Sequence, residues 1–481
     1  MTSAPLCVML EGAVTRSSPI LEGLLRSLRR RPLDMLRAAA HGWHGLDGLR
    51  DWVWHESPPP VETLPVDARL IDWLRAEKTL GRRLILCTRL PIEFAQGVAA
   101  RLKVFDEVLS LNGVAGTAVP LDAEVLAARF GAGGFDLAAG RRVDLPALRA
   151  ARTAFLVGPL ANRGTALGGT GIARSVAGER RSLAGTWLRA LRVRQWAKNL
   201  LVFVPALAAH RIVDPLAALQ SAAAFLFFGL CASGTYLVND MLDLEHDRRH
   251  GSKRTRPLAA GELPIGGALL AAPLLVLAAV SGAGLVLSPL FCLCLLGYLV
   301  ATAWYSLQLK ARPLVDVMTL AALYTLRVLA GSAATGIAPS FWLLALSVFL
   351  FFSLAMVKRY TELRTSLLRG GSRAPGRGYA TDDLVVLLTM GIASSFLAVL
   401  VLALYIDLGA DPLYPHAHFL WLTCPLALYW VSRVWLKAHR GTLNDDPVVF
   451  ALQDRPSLAV AALTALLAWL ATRRELPALL P

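Results

Sequence analysis

From about residue 199 onward this 481-residue chain is a succession of apolar runs, and that constrains its fold more than any other feature. Candidate spans lie at about 199–210, 217–238, 264–285, 286–304, 314–333, 338–357, 382–407, 416–436 and 457–472. About 20 apolar residues, rising roughly 1.5 Å each, cross a hydrocarbon core of about 30 Å. Lipid offers the backbone no hydrogen-bond partners, so such runs must satisfy their own peptides as helices. The runs predict an all-α membrane bundle of about nine transmembrane helices. The overall averages, 55% hydrophobic and 17% charged, conceal a second half of ordinary mixed composition at residues 1 to about 180.

Charge follows the spans. The net charge of +15 is concentrated in short loops: five Lys or Arg in 239–263, six in 358–381, two in 305–313 and four in 433–456. The intervening loops carry almost none, with Arg211 in one and no bases in 334–337 or 408–415; only Arg473 and Arg474 break the alternation. Such alternation places the basic loops and the N-terminal half on the cytoplasmic side of a bacterial-type inner membrane. It also removes the reason to read the positive charge as nucleic-acid binding. The six cysteines, Cys7, Cys87, Cys231, Cys292, Cys294 and Cys424, form no metal-type pair and read as small buried hydrophobes. The apolar run 5–10 is too short for a signal peptide.

In the first half, LCVML (6–10), RRLILCT (82–88), DEVLSL (106–111) and TAFLVG (153–158) alternate with helix-like stretches such as 65–81 and 122–131. The alternation predicts a Rossmannoid α/β domain with a parallel sheet over 1–162. Its strand order resembles the haloacid-dehalogenase (HAD) phosphatases, in which the first strand ends in Asp-x-Asp-Gly-Thr. Here Met9 stands for the nucleophile, Glu11 for the general acid and Ala13 for the hydroxyl residue, while Thr88 keeps the family's second-strand hydroxyl. The late metal-binding acid would fall at Gly140 or Arg141, with only Asp144 nearby, and no phosphate-binding Lys precedes 122–130. The resemblance thus implies a degenerate HAD-like domain, a pseudophosphatase. Residues 163–182, rich in Gly, Ala and Ser, read as a linker to a membrane domain at 183–481. The GGTG within it lacks the Lys-Ser/Thr of a phosphate loop.

Chemistry is concentrated in NDMLDLEHDRRHGSKRTRPLAAG (239–261), between two apolar runs. On a continuous helix Asp247 lies about 20° from Asp240 and Asp243 about 60° from it, so three carboxylates share a face and Glu245 points away. Three such acids repel one another unless a cation gathers them, and hard oxygen ligands completed by substrate phosphates suit Mg²⁺. Asn239, Asp240, Asp243 and Asp247 are the candidate metal ligands, and the three aspartates the candidate catalytic residues. Bases follow at Lys253, Arg254 and Arg256. Three more polar segments share this chemistry: Arg194, Gln195, Lys198 and Asn199 in RVRQWAKN; Tyr305, Lys310 and Asp316 in YSLQLKARPLVD; Lys358 and Arg359 in VKRYTEL. Carboxylates for metal with Arg and Lys for phosphate oxygens describe a Mg-diphosphate site. Arg327, mid-span, calls for either a neighbouring carboxylate or substrate.

NDxxDxxxD at Asn239, Asp240, Asp243 and Asp247 resembles the first metal motif of the UbiA superfamily of intramembrane prenyltransferases, over about 190–475. The second motif, DxxxD, is incomplete, because Asp316 is followed by Leu320. RQWAKNLLV, LRVLAG, KRYTEL and DPVVFALQDRPSL together resemble the branch of decaprenyl-phosphate phosphoribosyltransferases. That resemblance implies transfer of 5-phosphoribosyl from 5-phosphoribosyl diphosphate (PRPP) to a polyprenyl phosphate, with release of diphosphate. An aromatic prenyltransferase with a prenyl diphosphate donor and a non-catalytic polyprenyl-phosphate binder are the alternatives. The incomplete second motif weighs against the former, and the acid cluster against the latter.

Overall fold

The computed structural model describes residues 4–31, 33–43, 46–111, 122–140, 145–157, 172–176, 182–373, 377–410, 413–443 and 446–473. It divides into two units, residues 1–191 with 236–271, and 192–235 with 272–481.

Six parallel strands organise the first unit: β1 (Leu6–Met9), β2 (Leu84–Thr88), β3 (Glu107–Ser110), β4 (Asp136–Ala139), β5 (Thr153–Val157) and β6 (Ile172–Val176), in the order β3-β2-β1-β4-β5-β6. β1, β2 and β4 are buried throughout, which is why β1 and β2 read as near-continuous apolar runs rather than alternating ones. The parallel α/β architecture agrees with the sequence. Two strands were not legible. β4 is only Asp-Leu-Ala-Ala, with little intrinsic strand preference, and is held between β1 and β5 by the sheet around it. β6 lies in the stretch read as linker, where Ile172–Val176 pairs with β5 along its whole length. That corrects the linker over these five residues, whose charged Arg174 suits the edge position β6 takes; the rest of it, apart from Ser182, lies outside the described residues, as do Arg141 and Asp144.

At the C-terminal edge of β1 and β2, Glu11 accepts hydrogen bonds from Thr88 Oγ1 and the Arg89 N–H, each at 3.1 Å. Burial pushes its carboxyl pKa up. Gly140 packs so closely that a Cβ there would stand 1.7 Å from the Gly12 carbonyl oxygen. A side chain of any kind, a metal-binding acid included, has no room at this position.

The same unit contains α1 (Pro19–Arg30), the end of α2 (Pro215–Leu242) and α3 (Leu244–Arg249). Seven helices among the described residues are long and apolar enough to cross a membrane: Pro215–Leu242, Ile265–Val286, Pro289–Leu307, Val315–Thr335, Phe341–Leu368, Thr381–Leu408 and Ala417–Arg440. The chain is therefore a multi-pass membrane protein by helix length and composition. The expected first and last spans are not among the seven. Residues 193–203 form a tighter 3₁₀ helix followed by the short helix Val204–Ala208. Arg455–Ala471 has 17 residues, about 26 Å of helix, short of a core of about 30 Å.

In the second unit α4 (Val315–Thr335) packs against the 3₁₀ segment and α5 (Phe341–Leu368). Gly331 makes the first contact possible, since a Cβ there would meet the Val202 carbonyl oxygen at 2.0 Å.

Candidate active site

α2 has 28 residues, about 42 Å, so its last turns extend past a hydrocarbon core of about 30 Å. Asn239, half-buried, and Asp240, buried, sit on those turns. The helix then stops. Asp243 turns at φ −92° and ψ 10°, and α3 starts at Leu244. The single helical face expected for the three acids is therefore interrupted, and they are held in two places.

Arg256 brings two of them together. Its Nη1 donates to Asp240 Oδ1 at 3.0 Å and to Asp247 Oδ2 at 2.6 Å. Asp240 and Asp247 are only 3% and 1% exposed, and Asp247 Oδ1 is buried without a hydrogen-bond partner. Asp243 instead faces Arg29 of α1, Oδ1 to Nη1 3.3 Å. Among the described residues no group of three or more His, Cys, Asp or Glu side chains could hold a metal ion. This corrects the expected three-carboxylate cluster: Asp240 and Asp247 share Arg256, whereas Asp243 pairs with Arg29. Two carboxylates with one unused oxygen, bridged by a cationic side chain, still form a donor set that fits a hard divalent cation. Glu245 points elsewhere, accepting from Arg249 at 2.7 Å. Lys253 and Arg254 lie on a 3₁₀ turn, the first half-buried and the second exposed.

The second unit gathers the remaining polar segments into two nests. In the first, Asp316 in the opening turn of α4 is fully buried and accepts from both Nε and Nη2 of Arg359 on α5. The Tyr305 hydroxyl donates to Asp316 Oδ1 at 2.8 Å and accepts from Arg359 Nη2 at 2.7 Å and Arg377 Nη1 at 2.8 Å. Arg359 also reaches Glu362. Arg359 and Asp316 were expected to contact substrate; here both are buried and paired with each other, joining α4 to α5. Lys310 sits half-buried on the turn before α4.

The second nest surrounds Asp446, a residue the motif reading passed over. Its Oδ2 accepts from Lys198 at 2.7 Å and Lys358 at 3.3 Å, and its Oδ1 from the Tyr324 hydroxyl at 3.0 Å. Burial alone would raise this carboxyl, but Lys358, Lys198 and the Tyr324 hydroxyl outweigh it and hold the pKa well below the usual carboxylate range. For Lys198 burial wins, and its pKa is lowered. The signal for Asp446 was the acid heading DPVVFALQD, too isolated in sequence to be tied to Lys198 and Lys358. Nearby in the chain, Arg194 Nη2 donates to Gln453 at 3.3 Å, while Gln195 is half-buried. Asn199 receives Arg327 Nε at 3.0 Å, and the Arg327 guanidinium lies 5.1 Å from the ring centroids of Phe228 and Tyr298. Of the two partners open to it in sequence, a carboxylate or substrate, Arg327 meets no carboxylate among the described residues and takes the Asn199 amide and aromatic faces.

A depressed folded-state pKa stabilises the protein above the unfolded carboxyl pKa of about 3.9, and that stabilisation is lost as pH falls through the folded value. The gap in unfolding temperature between wild type and Asp446→Asn is expected to be full at neutral pH and to narrow below about pH 4. A gap independent of pH would contradict the charged nest.

Residues 200–454 match the UbiA prenyltransferase family. A Sinorhizobium fredii protein described as uncharacterized protein y4nM is 34% identical over 465 residues, covering 96% of this chain and 90% of that one. A decaprenyl-phosphate phosphoribosyltransferase of Corynebacterium glutamicum is 37% identical over 186 residues, 38% of this chain and 56% of that one. Among solved structures, a UbiA homologue from Archaeoglobus fulgidus bound to GPP and Mg²⁺ overlays with a TM-score of 0.47 at 18% identity, covering 60% of this chain and 99% of that one.

Proposed function

The chain belongs to the UbiA prenyltransferase family, and we propose that within it the protein transfers 5-phosphoribosyl from PRPP to a polyprenyl phosphate, releasing diphosphate. The observation that carries the catalytic part is the Asp240–Arg256–Asp247 bridge with its unpartnered buried oxygen. The similarity to a decaprenyl-phosphate phosphoribosyltransferase supports the choice of substrates.

In this reading Asp240 and Asp247 would hold Mg²⁺, with Asn239 and Asp243 as the further candidate ligands. A bound Mg²⁺ would offset the negative charge that develops on the departing diphosphate. Lys253, Arg254 and Arg256 bind diphosphate oxygens and stabilise the same charge. In the second unit Lys310, and Lys198 and Lys358 kept together by Asp446, with Arg194 and Gln195, are the groups offered to substrate phosphate. The bond from the anomeric carbon to diphosphate oxygen breaks with both electrons leaving on diphosphate. A lipid phosphate oxygen then bonds to the oxocarbenium-like carbon. Asp316, Tyr305 and Arg359 keep the supporting helices in place. The active site and the α/β domain face the cytoplasm, as the basic loops favour.

The experiment is a pair of incubations of purified protein with Mg²⁺. One contains labelled PRPP with polyprenyl phosphate, the other a labelled prenyl diphosphate with 4-hydroxybenzoate. Label entering lipid only in the first is expected; product only in the second overturns the proposed donor.

The α/β domain, in this reading a HAD-like pseudophosphatase, performs no phosphoryl transfer. Met9 offers no nucleophile, and position 140 has no space for an acid. Met9 is 3% exposed, so Met9→Ala is expected to cost about 2–5 kcal/mol of stability by leaving a cavity. Turnover per folded molecule should stay at the wild-type value. Lost turnover in a folded Met9→Ala protein would contradict this role.

A further inference from the structure

The α/β domain and the acid-rich segment share one unit, and α1 meets that segment along a single face. Glu22, Arg26 and Arg29 stand at i, i+4 and i+7, the spacing of one helical stripe. Glu22 accepts from Arg248 Nη1 and Nη2, both at 2.7 Å, and the two side chains are only 5% and 6% exposed. Arg248 Nε donates to the Ala259 carbonyl at 3.0 Å. Its guanidinium is therefore committed on one side to α1 and on the other to the turn that follows Arg256. Arg26 Nε lies 3.8 Å from Glu245. Arg29 Nη1 donates to the carbonyl of Leu242, the last residue of α2, at 3.1 Å, and faces Asp243 at 3.3 Å. A cavity of about 240 Å³ lies between α1 and this segment, lined by Arg26, Arg29, Glu245 and His246 among others.

We propose that α1 is a clamp that sets how readily the acid-rich segment takes a divalent cation. Glu22 fixes α3, and with it Asp247, while Arg29 withholds Asp243 from the Asp240–Asp247 pair. The proposal rests on the reading that this segment is the cation site. The two contacts differ in strength for a physical reason. The Glu22–Arg248 pair is bidentate and buried, so it holds its geometry. The Arg29 side chain is 44% exposed, so its pair with Asp243 is screened and weak, and a divalent cation competes with it directly for the carboxylate. The Leu242 carbonyl, at the negative end of α2, favours Arg29 in the absence of that cation.

Glu22 and Arg29 are thus positioning residues of opposite sign, which a merely structural role would not produce. The test uses the full chain in lipid nanodiscs, with Mn²⁺ binding followed by electron paramagnetic resonance. Glu22→Gln is expected to weaken Mn²⁺ binding about tenfold, the usual effect of loosening a group that orients a ligand. Arg29→Gln is expected to tighten it about two- to fivefold, the value of one exposed ion pair removed. Hydrogen exchange of the 244–249 amides without metal should quicken in Glu22→Gln and stay unchanged in Arg29→Gln, separating loss of position from loss of fold. Asp240→Asn is the control. If it binds Mn²⁺ as wild type does, the cation assignment falls and the clamp with it. If it does not, and the Glu22 and Arg29 variants shift affinity in the same direction or not at all, the assignment stands and the clamp alone is overturned.

Discussion

Asp240→Asn is expected to lower turnover roughly 10²–10³-fold, the scale of removing one preorganised electrostatic stabiliser from a reacting centre. Asn keeps the shape of Asp and still offers Arg256 Nη1 an oxygen where Asp240 Oδ1 now accepts at 3.0 Å. What it removes is the negative charge opposite Asp247. With one carboxylate left in the pair, divalent-cation affinity falls with turnover, whereas the unfolding curve should hardly move. Steady-state kinetics over a Mg²⁺ titration, with thermal unfolding of the same sample, measures both. Activity above a tenth of wild type at saturating Mg²⁺ would remove this segment from the chemistry.

The largest stability effect is expected at Asp316. Asp316→Ala leaves the Arg359 guanidinium, only 1% exposed, with Glu362 as its remaining carboxylate partner, and breaking a buried pair by removing one partner costs up to about 3–5 kcal/mol. Tyr305 would lose the acceptor for its hydroxyl proton as well. The double variant Asp316→Leu with Arg359→Met removes both charges together, and should recover most of the loss because a buried ion pair contributes little over apolar residues of similar volume. Unfolding measurements on Asp316→Leu, Arg359→Met and the double form a double-mutant cycle whose coupling reports the pair. Additive losses would show that Asp316 and Arg359 act independently, contrary to the network seen here. The stable double variant also separates support from chemistry: if these residues only brace the helices, it retains substantial turnover.

Much of this architecture was legible because it depends on local pattern. Apolar runs of the right length specify membrane helices by themselves, and the alternation of short buried strands with helices specifies a parallel sheet. Where length was marginal the reading failed: 199–210 became a 3₁₀ segment and Arg455–Ala471 stopped at 17 residues. β4 and β6 escaped because neighbouring strands, not their own residues, hold them extended.

At the site, residue types alone placed carboxylates and bases at the ends of membrane helices, and Met9 where the HAD resemblance would expect a nucleophile. Tertiary structure decided which charges pair. Arg248 meets Glu22 across 226 residues of sequence, and Lys198 meets Asp446 across 248. Arg256 chose Asp240 and Asp247 over Asp243, which went to Arg29. Helical spacing ranks neighbours within one element, but the partner of a charge is set by whichever element folds back against it. For Asp240 and Asp247 that element was the turn bearing Arg256, and for Asp243 it was α1.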